Sequence, residues 1–244
     1  MNKIIGSVLF LAIIITNINY AQPKLTLHLT GGYSLPLPEL RGDIPLKTGD
    51  NNYQMKNGFN FGADGKFALD KKCYLKITAS LTYNMFNNSG DMVIAENGIE
   101  TRKINIFTAG AGFEYSFLPK KNINPFIGAE FTGNFFSGKI KEEIGDTSIT
   151  ENSLKPESRF GIQINGGIDI ASSRNIGVVI GIKYCLANLF GKDSASVSGY
   201  EYALWDKEYT YNGGTISAKN IQYLQFYAGI SFYFMQPKMK LKSK

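Results

Sequence analysis

The chain has one histidine and two cysteines among its 244 residues. General acid–base and nucleophilic catalysis usually need a histidine held beside a hydroxyl, thiol or carboxylate. His28 lies between Thr26 and Thr30 on the polar side of an alternating stretch, away from any exposed rim. Its expected role is hydrogen bonding in an interior, and no enzyme activity is expected. Cys73 and Cys185 show no metal-ligand spacing. They also fall at different heights along two strands, too far apart to bridge. The pairs Gly110/Gly112 and Gly166/Gly167 sit inside apolar alternation rather than before a helix, so they do not form a phosphate-binding loop. No cofactor or metal is expected.

Two other groups of residues have chemical potential. Asp64, Glu114, Glu130 and Asp169 share the polar sides of their segments with Lys66, Lys76, Arg159 and Lys183. The signs balance, which suits a structural ladder of salt bridges in a narrow interior; gating of ions is the alternative. Lys76 and Glu114 are expected to meet there. The second group is a run of aromatics, Tyr200, Tyr202, Trp205, Tyr209 and Tyr211, that includes the only Trp. Rings of this kind dominate binding hot spots. Here they form a candidate contact surface, on a hairpin with Asp206-Lys207 between them. Packing on one another, or capping a mouth, is the other reading.

The elements that position these residues follow from period two. Phe160, Ile162, Ile164, Ile168 and Ile170 alternate with Gly161, Gln163, Asn165, Gly167 and Asp169. The same alternation marks Leu25–Tyr33, Gly58–Leu69, Leu75–Met85, Phe107–Phe117, Ile127–Phe135, Ile176–Leu186 and Leu224–Phe234. Each of these segments has about the length at which a tilted strand crosses a bilayer. The polar sides are dominated by Gly, Ser, Thr and Asn, which suits the inside of a narrow barrel better than the solvated face of a soluble sandwich. Connections alternate strictly between short (Asp70–Lys72, Leu118–Asn124, Ala171–Asn175) and long (Pro36–Asn57, Phe86–Lys103, Phe136–Glu157, Ala187–Asn220). Outer-membrane barrels show that alternation, with short periplasmic turns and long external loops. In the second long connection, Met92–Glu96 and Ile99–Lys103 flank Asn97-Gly98, the signature of a two-residue hairpin turn. These strands are expected to continue beyond the membrane. The fold class is therefore all-β, an eight-stranded antiparallel up-and-down transmembrane β-barrel with both termini on the periplasmic side.

Composition agrees. Aromatics reach 13%, too many for a disordered chain, and beyond residue 21 no apolar run is long enough for a membrane helix. Met1–Ala21 has Lys3, then the apolar run Ile4–Thr16, then a polar segment ending in Ala21, the pattern of a secretory signal peptide. Residues 22–234 are the expected barrel and 235–244 a basic periplasmic tail. With the excess of Lys concentrated in that tail, nothing suggests a nucleic-acid partner.

The last segment, with Phe226, Phe232 and Phe234 alternating with Tyr227, Ser231 and Tyr233, resembles the aromatic-ended strand read by the outer-membrane assembly machinery. It departs from that signal in the tail that follows Phe234. Together with the leader, the alternating segments and the loop pattern, the chain resembles the small outer-membrane β-barrel families. These are the OmpA/OmpX/OmpW-type barrels and the PorT-like barrel domains of Bacteroidota. The resemblance implies a Gram-negative outer membrane and contact with its lipids and lipopolysaccharide. It also implies a non-enzymatic role in surface interaction or envelope integrity, with an extracellular or secretion-system partner left open. The alternatives are a small-solute transport barrel and an accessory barrel of a secretion system.

Overall fold

The computed structural model describes residues 23–45, 51–92, 98–145, 148–194, 201–211 and 214–235. The expected leader, residues 1–21, and residues 236–244 of the expected tail lie outside them. Among the described residues twelve strands occur in chain order: β1 (Leu25–Pro36), β2 (Gly58–Ala68), β3 (Leu75–Asp91), β4 (Gly98–Ser116), β5 (Ile123–Ile144), β6 (Ser148–Leu154), β7 (Glu157–Ala171), β8 (Ile176–Phe190), β9 (Glu201–Tyr202), β10 (Tyr209–Tyr211), β11 (Gly214–Ile216) and β12 (Gln222–Phe234).

Eight of these, β1, β2, β3, β4, β5, β7, β8 and β12, pair antiparallel in that order, and β12 returns to β1. The closure runs from Leu25 opposite Phe234 to Pro36 opposite Tyr223. A closed ring satisfies the backbone donors and acceptors of every strand and leaves no edge. Each alternating segment of the sequence is one staple of this ring. Alternation turns large residues outward, so Phe59 is 62% exposed and Phe113 57%. It turns Thr26, Asn60, Ser80 and Gln163 inward, where all are buried.

Short turns close one end. In the first, the Asp70 carboxylate accepts the N–H groups of Lys72 (3.0 Å) and Leu75 (2.9 Å). In the second, Asn124 Oδ1 accepts from Leu118 N–H at 3.1 Å. At the other end β3, β4 and β5 run on to 17, 19 and 22 residues. β6 folds back onto the extended tip of β5, and β9 lies parallel to β6.

The expected hairpin register is not the one adopted. Asp91 pairs with Ile99, and Met92 N–H donates to Gly98 O at 2.8 Å. Gly98 is thus a paired strand residue and not part of a two-residue turn; Asn97 lies outside the described residues. The reason is that β4 is held from both sides. Gly98 also pairs with Ile144 of β5, and two long ladders outweigh the local preference of one Asn-Gly dipeptide.

The interior has two zones. The half nearer the short turns is polar. Towards the long connections it becomes an apolar cluster, in which Phe86, Ile106, Phe136 and Tyr223 of the inner wall meet Leu40, Met55 and Leu204 of the loops.

Candidate functional site

The polar zone is built by register. Lys76 on β3 lies opposite Glu114 on β4, and Lys66 on β2 lies opposite Thr78, two positions along β3. Glu114 consequently bridges two lysines. Its Oε2 accepts from Lys66 Nζ, and its Oε1 stands 3.7 Å from Lys76 Nζ. Lys66 Nζ also lies 3.8 Å from the centre of the Phe126 ring. Across the barrel, Lys183 donates to Asp64 Oδ1 at 2.8 Å. Asp169 Oδ1 accepts from Ser231 (2.6 Å) and from the Tyr233 hydroxyl (2.8 Å). Glu130 accepts from Ser80 and Gln163 and forms no ion pair among the described residues.

His28 is buried, with Nε2 3.7 Å from Asp169 Oδ2. Asp169 is thus its interior electrostatic partner, at a separation slightly longer than an ordinary hydrogen bond. Cys73 and Cys185 are both free thiols. Among the described residues no group of three or more His, Cys, Asp or Glu could hold a metal ion.

Arg159 departs from the expected ladder. It is buried, but at the mouth rather than among the lumen charges. Its guanidinium donates to both oxygens of Asp206, at 3.0 Å each, and to Glu157. Asp206 also accepts from Asn188 Nδ2 and from Asp193 N–H, both at 2.9 Å. Burial opposes the ionised form of Asp206, yet these donors outweigh it and hold its carboxyl below the usual range. Asn188 Oδ1 in turn accepts from Ile221 N–H at 2.7 Å. The first long connection joins the same assembly, because the Tyr53 hydroxyl donates to Leu204 O at 2.9 Å. Burial pushes the Tyr53 phenol well above its ordinary value and keeps it a neutral donor. The result is a lid of two loops clamped over an apolar plug.

Asp206 was expected at the tip of an aromatic hairpin. Instead it is fully buried, and the hairpin lies further on, in β10 and β11, where Tyr209 faces Ile216. Tyr202 leans on the apolar plug. Trp205 is 40% exposed, at a backbone φ of 45°, and its ring centre is 6.0 Å from that of Tyr209. Tyr211 ends β10, and Tyr200 lies outside the described residues. On β12, Phe226 and Phe234 are outward and exposed, and Phe232 is outward and half-buried. Sequence reasoning missed Asp206, Asn188, Glu157 and Tyr53. The available signal was a charged residue, Asp206, two positions from an apolar Leu204 inside an aromatic run.

No protein-family model and no curated protein matches the chain. Solved structures similar to it include Neisserial surface protein A, at 14% identity over 86% of this chain and 97% of that one, with a TM-score of 0.49. OprG of Pseudomonas aeruginosa is 11% identical over 89% and 100%, at 0.46. Ail of Yersinia pestis, solved with the heparin analogue sucrose octasulfate, is 10% identical over 86% and 99%, at 0.41. The architecture described above rests on this chain's own strand pairing.

Proposed function

We propose that the chain is an integral outer-membrane β-barrel protein of a Gram-negative bacterium, non-enzymatic, with a side-chain-filled lumen and loops that meet the exterior. One observation carries this reading: the outward faces of all eight ring strands are apolar. Leu29, Phe61, Ile77, Phe113, Phe131, Ile164, Ile180 and Ile230, one from each ring strand, are all exposed to the same side. Water tolerates scattered exposed apolar residues but not a continuous girdle. Strands of about ten residues at a tilt near 40° give a band about 25 Å tall, the height of a bilayer core. The short turns then face the periplasm and the lid faces outward, with outer-membrane lipid and lipopolysaccharide around the barrel. Residues 1–21 fit the leader that export requires, and β12 fits the strand that the assembly machinery reads. Trp205 and Tyr209 form the part of the lid most available to an external or secretion-system partner.

The test is fractionation of a Gram-negative host expressing the full chain, with gel migration before and after heating. The expected result is recovery with outer membranes and faster migration of the unheated band. Recovery in the soluble periplasm would overturn the reading.

A further inference from the structure

The two ends of the barrel differ in charge. The short turns, residues 69–74, 117–122 and 172–175, carry Lys71, Lys72, Lys120, Lys121 and Arg174 against Asp70 alone. Just inside this end lies a cavity of about 50 Å³, room for a few waters or one tetrahedral anion. Its walls include four cations, Lys76, Lys120, Lys121 and Arg174, and one carboxylate, Asp169.

Lys76 distinguishes this cavity from a merely basic surface. It is only 5% exposed, and an ammonium carries three donors that must be paired or hydrated when buried. Its one ion pair among the described residues is with Glu114 Oε1, at 3.7 Å, beyond hydrogen-bond reach, and the other Glu114 oxygen is held by Lys66. Asp169 does not supply the missing acceptor. Its Oδ1 is taken by Ser231 and Tyr233, and it makes no hydrogen bond or ion pair with Lys76. The cavity therefore presents a buried, under-coordinated ammonium behind an entrance of two exposed lysines.

We propose that this cavity binds a small oxyanion of the phosphate class, with Lys76 as its buried anchor and Lys120 and Lys121 at its entrance. A tetrahedral anion brings several acceptor oxygens to one point, which suits donors converging from separate strands and turns. A free phosphate ion and the phosphate of a lipid headgroup offer the same chemistry. The inference does not depend on the membrane reading, since the cavity opens at the end of the barrel and not on its apolar wall.

The experiment titrates the full chain, folded in dodecyl maltoside, with inorganic phosphate by isothermal calorimetry at low salt. The expected result is a saturable one-site heat that fades as sodium chloride rises. The double variant Lys120→Ala, Lys121→Ala alters exposed turn residues and should fold normally, as checked by its gel shift on heating. It is expected to bind at least about tenfold more weakly, since both entrance charges are lost. Lys76→Met is expected to abolish saturation; if that variant fails to fold, the turn variant decides. No saturable heat in the wild-type chain, or unchanged affinity in the turn variant, overturns the proposal. Soluble dihexanoyl phosphatidylglycerol separates the sources: displacement of phosphate assigns the site to a headgroup, and undiminished phosphate binding assigns it to the free ion, each upholding the site.

Discussion

Glu114 shows how the lumen charges are held in place. It is 1% exposed and faces two lysines, with Lys66 in direct contact and Lys76 further off. Removing one partner of a buried pair costs about 3–5 kcal/mol, because the other charge is left uncompensated. Glu114→Ala is therefore expected to be the most damaging lumen substitution, since it strands two ammonium groups. Double-mutant cycles in urea unfolding should give a larger coupling for Lys66/Glu114 than for Lys76/Glu114. Equal couplings would mean that the carboxylate is shared evenly and that the unequal geometry has no energetic counterpart. Asp206 gives a pH prediction at the other end. Its carboxyl titrates below the unfolded value of about 3.9, so its contribution is present above that pH and is lost as pH falls through the folded value. The lid should stay clamped from neutral pH down to about pH 4 and loosen only below it. Hydrogen exchange of residues 201–211 against pH would show this, and protection already lost at pH 6 would contradict it. Asp206→Asn should expose the same segment at neutral pH, because the amide cannot take the bidentate charge from Arg159.

At the scale of elements, each end of the ring obeys its own logic. The short turns are fixed by their own side chains, Asp70 and Asn124 among them. The long connections are fixed by one another. Cysteine at Lys207, exposed on the lid, is expected to react with an impermeant maleimide on intact cells. Cysteine at Lys71 or Ser173 is expected to react only after permeabilisation. The reverse pattern would invert the barrel. Within the wall, Gly177 on β8 makes room for the Tyr233 hydroxyl and for the Ile170 carbonyl of β7, for a Cβ there would run into both oxygens. Gly177→Ala should therefore displace Tyr233 from Asp169 and lower the unfolding midpoint while strand content by circular dichroism is kept. A change with no effect on stability would show that both the ring and the β7 strand can yield at no cost.

The whole molecule is a barrel closed twice, by polar side chains below and by an apolar plug with its lid above. Eight strands enclose space only for side chains. Here that space is taken by the Glu114, Asp64 and Asp169 networks and by the cluster around Tyr223 and Phe86. Protein reconstituted in planar bilayers is expected to show no steady conductance at neutral pH. Large stable channels in the wild-type chain would favour the transport reading over the one proposed. Trp205→Ala with Tyr209→Ala should leave the barrel assembled, because Trp205 is exposed and Tyr209 only half-buried on the lid, and neither belongs to the apolar plug. If surface binding by intact cells is also unchanged, the aromatic pair is not the contact surface.

The sequence by itself determined the ring. Side-chain alternation is a local property of the extended chain, so Phe160–Ile170 announces both its strand and its inward face without any knowledge of neighbours. The inward placement of Lys76, Glu114, Asp64 and Lys183 follows from the same parity, and the β3–β4 register then sets Lys76 opposite Glu114 at the end of the barrel that carries the short turns. What the tertiary structure alone decided is everything that depends on contacts between distant segments. Arg159 has the parity of a lumen residue, yet its partner Asp206 lies 47 positions away, in a loop with no periodicity to read. The Tyr53 contact to Leu204 spans 151 positions. The Asn-Gly register failed for a related reason: a local turn preference of modest size competed with the ladder from β5, which the hairpin sequence does not contain. Period fixes which way a side chain faces, but closure and loop packing fix what it meets, because those energies belong to pairs of segments and not to either one.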